Sequence, residues 1–238
     1  MDDPRISEHW TTPTSPAVAA EHVTIFLRSV YGWMCAGLGL TALVALQVAN
    51  SPAIVTQLLS NQLLYVGLIL AELALVLYLS ARVERLAPAA ATALFVVYAG
   101  LNGVTLSLVF LAYTGKSVAD TFIVTAGTFG AMALLGSTTR RSLAGLGQFA
   151  YMGLIGLVLA SLVGLFWHND ALQFVISGVG VLVFTGLAAW DAQRLKQMAL
   201  SAPEGRTRSL AIVGALFLYL DFINLFLSLL RFVGTRRD

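Results

Sequence analysis

Residues 219–231 read Tyr-Leu-Asp-Phe-Ile-Asn-Leu-Phe-Leu-Ser-Leu-Leu-Arg and lie inside the last long apolar run of a 238-residue chain. Asp221 and Asn224 stand where hydrocarbon normally demands Leu or Val, and Arg231 follows the Asp by ten residues. A carboxylate near a bilayer midplane costs about 2.5–3.5 kcal/mol on insertion scales, so an acid in such a run is read as functional and needs a partner.

The rest of the chain has the composition of a membrane protein. Hydrophobic residues make up 58% and charged residues 11%, against roughly 25% charge in soluble domains; mean hydropathy is +0.83. Apolar runs of about 20 residues recur, the length an α-helix needs to cross about 30 Å of hydrocarbon. They do not alternate apolar with polar residues, which excludes a transmembrane barrel. A net charge of +2, with dispersed basic residues, does not describe a nucleic-acid surface. Cys35 is the single cysteine, which removes an intrachain disulfide and a cysteine-cluster metal site. His9, His22 and His168 fall at or beyond the ends of apolar runs, so neither a histidine zinc site nor a Ser-His pair within the membrane is expected.

Residues 1–23 are polar, carry Pro4, Pro13 and Pro16, and read as a disordered leader without the apolar core of a secretory signal. Seven spans follow within 24–233, at about 25–49, 62–81, 88–113, 118–137, 146–167, 172–197 and 208–232, and a short tail covers 234–238. The 50–61 connection carries no charge. Gly100, Asn102, Gly103 and Thr105 interrupt the third span and would loosen it or admit a neighbouring helix. Arg28 reads as an interfacial anchor, Asp120 as a cap or first-turn acid, and His168-Asn169-Asp170 as a solvated exit. With the N-terminus inside, the inner segments hold ten basic residues and the outer loops only Lys116, which predicts a cytoplasmic N-terminus and an outside C-terminus. Arg231, Arg236 and Arg237 oppose that rule at the C-terminal end.

Spans six and seven form a hairpin, and residue 206 lies midway between Asp191 and Asp221, so the two acids share a depth and could face each other. Two carboxylates in close contact share a proton and titrate together. Span two runs antiparallel to span seven. Glu72 precedes Arg82 by ten residues, as Asp221 precedes Arg231. Arg82 can then lie level with Asp221 while Glu72 lies level with Arg231, giving two cross-helix ion pairs. This arrangement fits a structural polar clamp, a proton-sensing latch, or a cation path in which Asp191 and Asp221 offer oxygen ligands to Ca²⁺.

Arg28-Ser29-Val30-Tyr31-Gly32, Gly103-Val104-Thr105-Leu106-Ser107, Gly136-Ser137-Thr138-Thr139-Arg140-Arg141 with Leu146-Gly147, Asp191-Ala192-Gln193, and Tyr219-Leu220-Asp221-Phe222-Ile223-Asn224-Leu225-Phe226 together resemble the Bax inhibitor-1 family over about residues 24–233. The resemblance implies an all-α, seven-transmembrane-helix bundle packed around the C-terminal helix, acting as a pH-sensitive Ca²⁺ leak channel. It implies that Asp191 and Asp221 are the pH sensor, that Arg82 is the latch, and that Glu72 and Arg231 are a second buried charge pair. Trp190 departs from the tyrosine common before the span-six aspartate, a change expected to alter packing only.

The expected function is therefore passive Ca²⁺ permeation governed by protons along spans two, three, six and seven, by a monomer with no cofactor, in a bacterial inner membrane. The alternative is a non-transporting regulator that binds a membrane protease or a cell-death factor. An intramembrane aspartyl protease is disfavoured because Leu218-Tyr219-Leu220 precedes Asp221 in place of Gly-x-Gly and no Pro-Ala-Leu follows. A retinal receptor is disfavoured because Lys116 and Lys196 lie outside the last span.

Overall fold

The computed structural model describes residues 16–82, 86–167, 169–201 and 206–237. His9, Glu84, Arg85, His168, Pro203 and Gly205, and the leader before Pro16, lie outside the described residues. Among those described there are eight α-helices: α1 (Pro16–Ala49), α2 (Pro52–Ser60), α3 (Gln62–Arg82), α4 (Pro88–Ala112), α5 (Gly115–Thr138), α6 (Ala144–Phe166), α7 (Asp170–Ser201) and α8 (Thr207–Val233). All but α2 are long and apolar enough to span a membrane. The fold is a polytopic seven-helix bundle.

Local chemistry sets the helix ends. Pro52 and Pro88 each open a helix behind an extended residue, Ser51 or Ala87, where a missing N–H costs nothing and the fixed φ is already helical. Thr114 caps α5 by accepting from Ser117 N at 3.3 Å. Asn169 Oδ1 caps α7 by accepting from Ala171 N at 2.9 Å and Leu172 N at 3.3 Å. Asp120 is thus not a cap; it lies in the second turn of α5 and pairs with Lys116 at 2.7 Å.

Two segments differ from the sequence expectation. The helix of span one begins at Pro16, inside the stretch expected to be a disordered leader. The uncharged connection folds as α2, whose nine residues reach only about 14 Å and cannot span.

The bundle is organised around α8, 72% of whose most apolar 18-residue window is buried, against 6% for α3. α8 packs against α1, α4, α5 and α7, whereas α3 lies chiefly on α4 and α6 chiefly on α7. Phe95 and Tyr98 of α4 meet the fully buried Tyr219 ring edge to face, and Phe122 and Phe129 of α5 do the same with Phe222. The outer helices expose large apolar side chains such as Leu63, Phe149 and Leu182, the pattern expected of surfaces facing hydrocarbon rather than water.

Helix contacts are closest at glycines. A Cβ on Gly103 would lie 2.7 Å from the Thr41 carbonyl oxygen and from Val44 Cβ, so α1 and α4 touch there because that position carries no side chain. Gly136 admits the α7 backbone at Ala189, and Gly147 admits the Trp190 indole. The large ring at residue 190 is therefore accommodated by the glycine facing it.

The residues after α8 are tied down. Thr114 N donates to Thr235 O at 3.1 Å and Arg237 N to Ala112 O at 3.0 Å, so the tail pairs with the α4–α5 link and closes that face of the bundle.

Candidate functional site

The α7–α8 hairpin brings the two acids together. Asp191 on α7 and Asp221 on α8 are 9% and 6% exposed, and their carboxyl groups are in hydrogen-bond contact with each other. Asp191 Oδ1 and Asp221 Oδ2 are buried and find no donor elsewhere among the described residues. An ionised carboxylate only accepts hydrogen bonds, so two of them meet favourably only when a proton lies between them. The site is a buried carboxyl pair between α7 and α8, and among the described residues no cluster of three or more metal-ligating groups surrounds it.

The pair lies close to the α5–α6 link. Gln193, two residues on from Asp191 and so about 3 Å farther along the helix axis, bonds to the α5–α6 link: Leu143 N donates to Gln193 Oε1 at 2.8 Å, and Gln193 Nε2 donates to the Arg141 carbonyl at 2.9 Å. Lys196 Nζ adds a bond to the Ser137 carbonyl at 3.0 Å. One side chain thus satisfies a donor and an acceptor of the link and sets the depth of Asp191. Gln193→Ala is expected to cost about 1–3 kcal/mol, because it leaves two backbone groups unpaired. Faster hydrogen exchange at residues 141–143 and earlier thermal unfolding would show it, with exposed Gln197→Ala as the silent control.

Arg82 is not brought to the pair. It is the last residue of α3, it is exposed, and no ion pair joins it to either acid. The reason is register. Leu86, bonded to the Arg82 carbonyl one turn back, accepts through its own carbonyl from Ser209 Oγ at 3.2 Å, which aligns the end of α3 with the start of α8. Asp221 is twelve residues farther along α8, about 18 Å deeper. Arg194, one turn on from Asp191 along α7, instead has its guanidinium 5.6 Å from the ring centroids of both Trp190 and Phe217.

The second expected pair is also corrected. Glu72 is half-buried, but Asn102 Nδ2 donates to it at 3.3 Å and Thr105 Oγ1 at 2.9 Å; Arg231 is exposed and forms no ion pair with it. α3 reaches the core through α4, so α4 side chains satisfy the carboxylate first. Arg231 instead lines, with Asn224 and Ser228, a cavity of about 430 Å³ between α6, α7 and α8.

The polar residues in α4 are thus anchors, and Gly103 admits α1, within a helix that runs unbroken from Pro88 to Ala112. Asn102 Oδ1 accepts from Tyr219 Oη at 3.1 Å, and Tyr219 Oη lies 2.7 Å from Thr41 Oγ1, which reaches the Ala99 carbonyl at 2.8 Å. A buried polar chain therefore runs from Glu72 on α3 through α4 and α8 to α1. Sequence reasoning missed Thr41 and the role of Tyr219; the available signal was a hydroxyl within an apolar run, which is common and unspecific.

Comparison with known proteins agrees with this architecture. Residues 23–238 match the family described as "Inhibitor of apoptosis-promoting Bax1". The "Inner membrane protein YbhL" of Escherichia coli (strain K12) is 50% identical over 215 residues, covering 89% of this chain and 92% of that protein. Uncharacterised proteins of Deinococcus radiodurans and Borreliella burgdorferi are 45% and 42% identical, over 92% and 90% of this chain and 93% of each of theirs. With seven spanning helices organised around the last of them and a family match over nearly the whole length, the chain belongs to the Bax inhibitor-1 family of membrane proteins.

Proposed function

We propose that this protein is a passive Ca²⁺ leak of a bacterial inner membrane, with its N-terminus cytoplasmic, and that the proton shared by Asp191 and Asp221 controls it. The observation that carries the reading is the contact between two buried carboxyl groups with no other donor to satisfy them. While the proton is present the contact holds α7 against α8. Once it leaves, two like charges face each other in a low-dielectric site, repel, and offer oxygen ligands to a hard cation.

The sign of the pH response follows. With Arg82 away from the pair, ionisation breaks no attraction to that residue; repulsion between the helices and attraction for a cation act together. Ca²⁺ entry into dye-loaded proteoliposomes is expected to rise from about pH 5 to pH 9 in a single coupled step. Flux falling with pH would reverse the gating assignment. Flux no greater than in empty liposomes would make the acids structural and leave the regulator of another membrane protein as the better reading.

A further inference from the structure

We infer that the α5–α6 link and the last turns of α7 form a binding site for the phosphate of an anionic phospholipid. The two elements enclose a cavity of about 230 Å³ whose wall carries Arg140, Arg141 and Lys196 and, among the described residues, no acid. The inference does not rest on ion conduction or on the proton of the carboxyl pair.

Three observations distinguish it from scattered surface charge. The link is held in one shape by Gln193, which bonds it at two points. Lys196 is held in place by the Ser137 carbonyl at 3.0 Å, and its ammonium keeps two further donors. The Arg140 and Arg141 guanidiniums have no partner among the described residues, so both forks are free for the bidentate geometry that phosphate oxygens favour.

Position selects the source of the phosphate. The link joins the ends of two spanning helices, Thr138 of α5 and Ala144 of α6, which places it at the depth of lipid headgroups. Exposed apolar side chains flank it: Leu134 and Leu135 on α5, Leu146 on α6 and Leu200 on α7. A phosphodiester carrying acyl chains meets both surfaces, whereas a soluble phosphate meets only the cations.

The test uses the full-length protein in detergent, titrated with short-chain phosphatidylglycerol, with phosphatidylcholine of the same chain length, and with inorganic phosphate, and read by native mass spectrometry. Phosphatidylglycerol is expected to bind in preference to phosphatidylcholine, and Arg140→Gln and Arg141→Gln should each weaken it about fivefold. Neither arginine side chain has a hydrogen bond or ion pair among the described residues, so both variants should fold. Arg208→Gln, an exposed cation in the first turn of α8, should bind as wild type. Equal binding of the two lipids, or an equal loss in Arg208→Gln, would overturn the site. Displacement by inorganic phosphate at the concentration at which phosphatidylglycerol binds would overturn the lipid assignment in favour of a soluble anion.

Discussion

Asp221→Asn is expected to abolish the pH step in Ca²⁺ flux and hold the leak at its acid-side level. A carboxamide can donate to Asp191 without a titrating proton, so the α7–α8 contact persists at every pH while the repulsion that opens it is lost. Two unit charges about 4 Å apart at an effective dielectric of about 20 repel by roughly 4 kcal/mol, a factor of about a thousand in the population of a separated state. On the proposed gating, even a fraction of that would shift the flux. Asp191→Asn should flatten the profile in the same way, because the contact is reciprocal. The readout is the ratio of initial rates at pH 9 and pH 5 in proteoliposomes matched for protein content. A wild-type ratio in either variant would remove the pair from the gating mechanism. Asn224→Ala, one turn away, provides the comparison; among the described residues its side chain donates to the Leu220 carbonyl of its own helix, at 2.8 Å.

The second large effect is expected at Gly136. A Cβ there would overlap the Ala189 carbonyl group, and a backbone group cannot rotate aside as a side-chain tip can. Gly136→Ala must therefore push α5 away from α7. Overpacking of this kind commonly costs about 1–3 kcal/mol and occasionally more, and a contact against backbone lies at the upper end. Thermal unfolding in detergent should begin well below wild type, with loss of the monodisperse species in size exclusion. Gly127→Ala, on the same helix with open space at its Cβ, should behave as wild type or slightly better, because alanine is the better helix former. Equal stability of the two variants would show that α5 and α7 are not packed as described. Because Ala189 is two residues from Asp191, a partly folded Gly136→Ala protein should also show a displaced pH step in flux.

Much of this molecule follows from its sequence alone. Seven spans are dictated by apolar runs matched to bilayer thickness, a constraint that depends on local composition and needs no knowledge of neighbours. The pairing of Asp191 with Asp221 was also legible, because a helical hairpin converts distance from its tip into depth, and only one connection intervenes. The same counting failed for Arg82 and Glu72. They lie on a helix far away in sequence, whose depth relative to α8 is set by contacts such as that of Ser209 with the Leu86 carbonyl, and no spacing within either helix encodes that offset. Nor could periodicity show that α4 stands between α3 and α8 and supplies Asn102 and Thr105 to Glu72. Tertiary structure alone decided which polar groups satisfy each other, since a buried carboxylate takes the nearest donor that packing delivers and not the opposite charge that a register would allow.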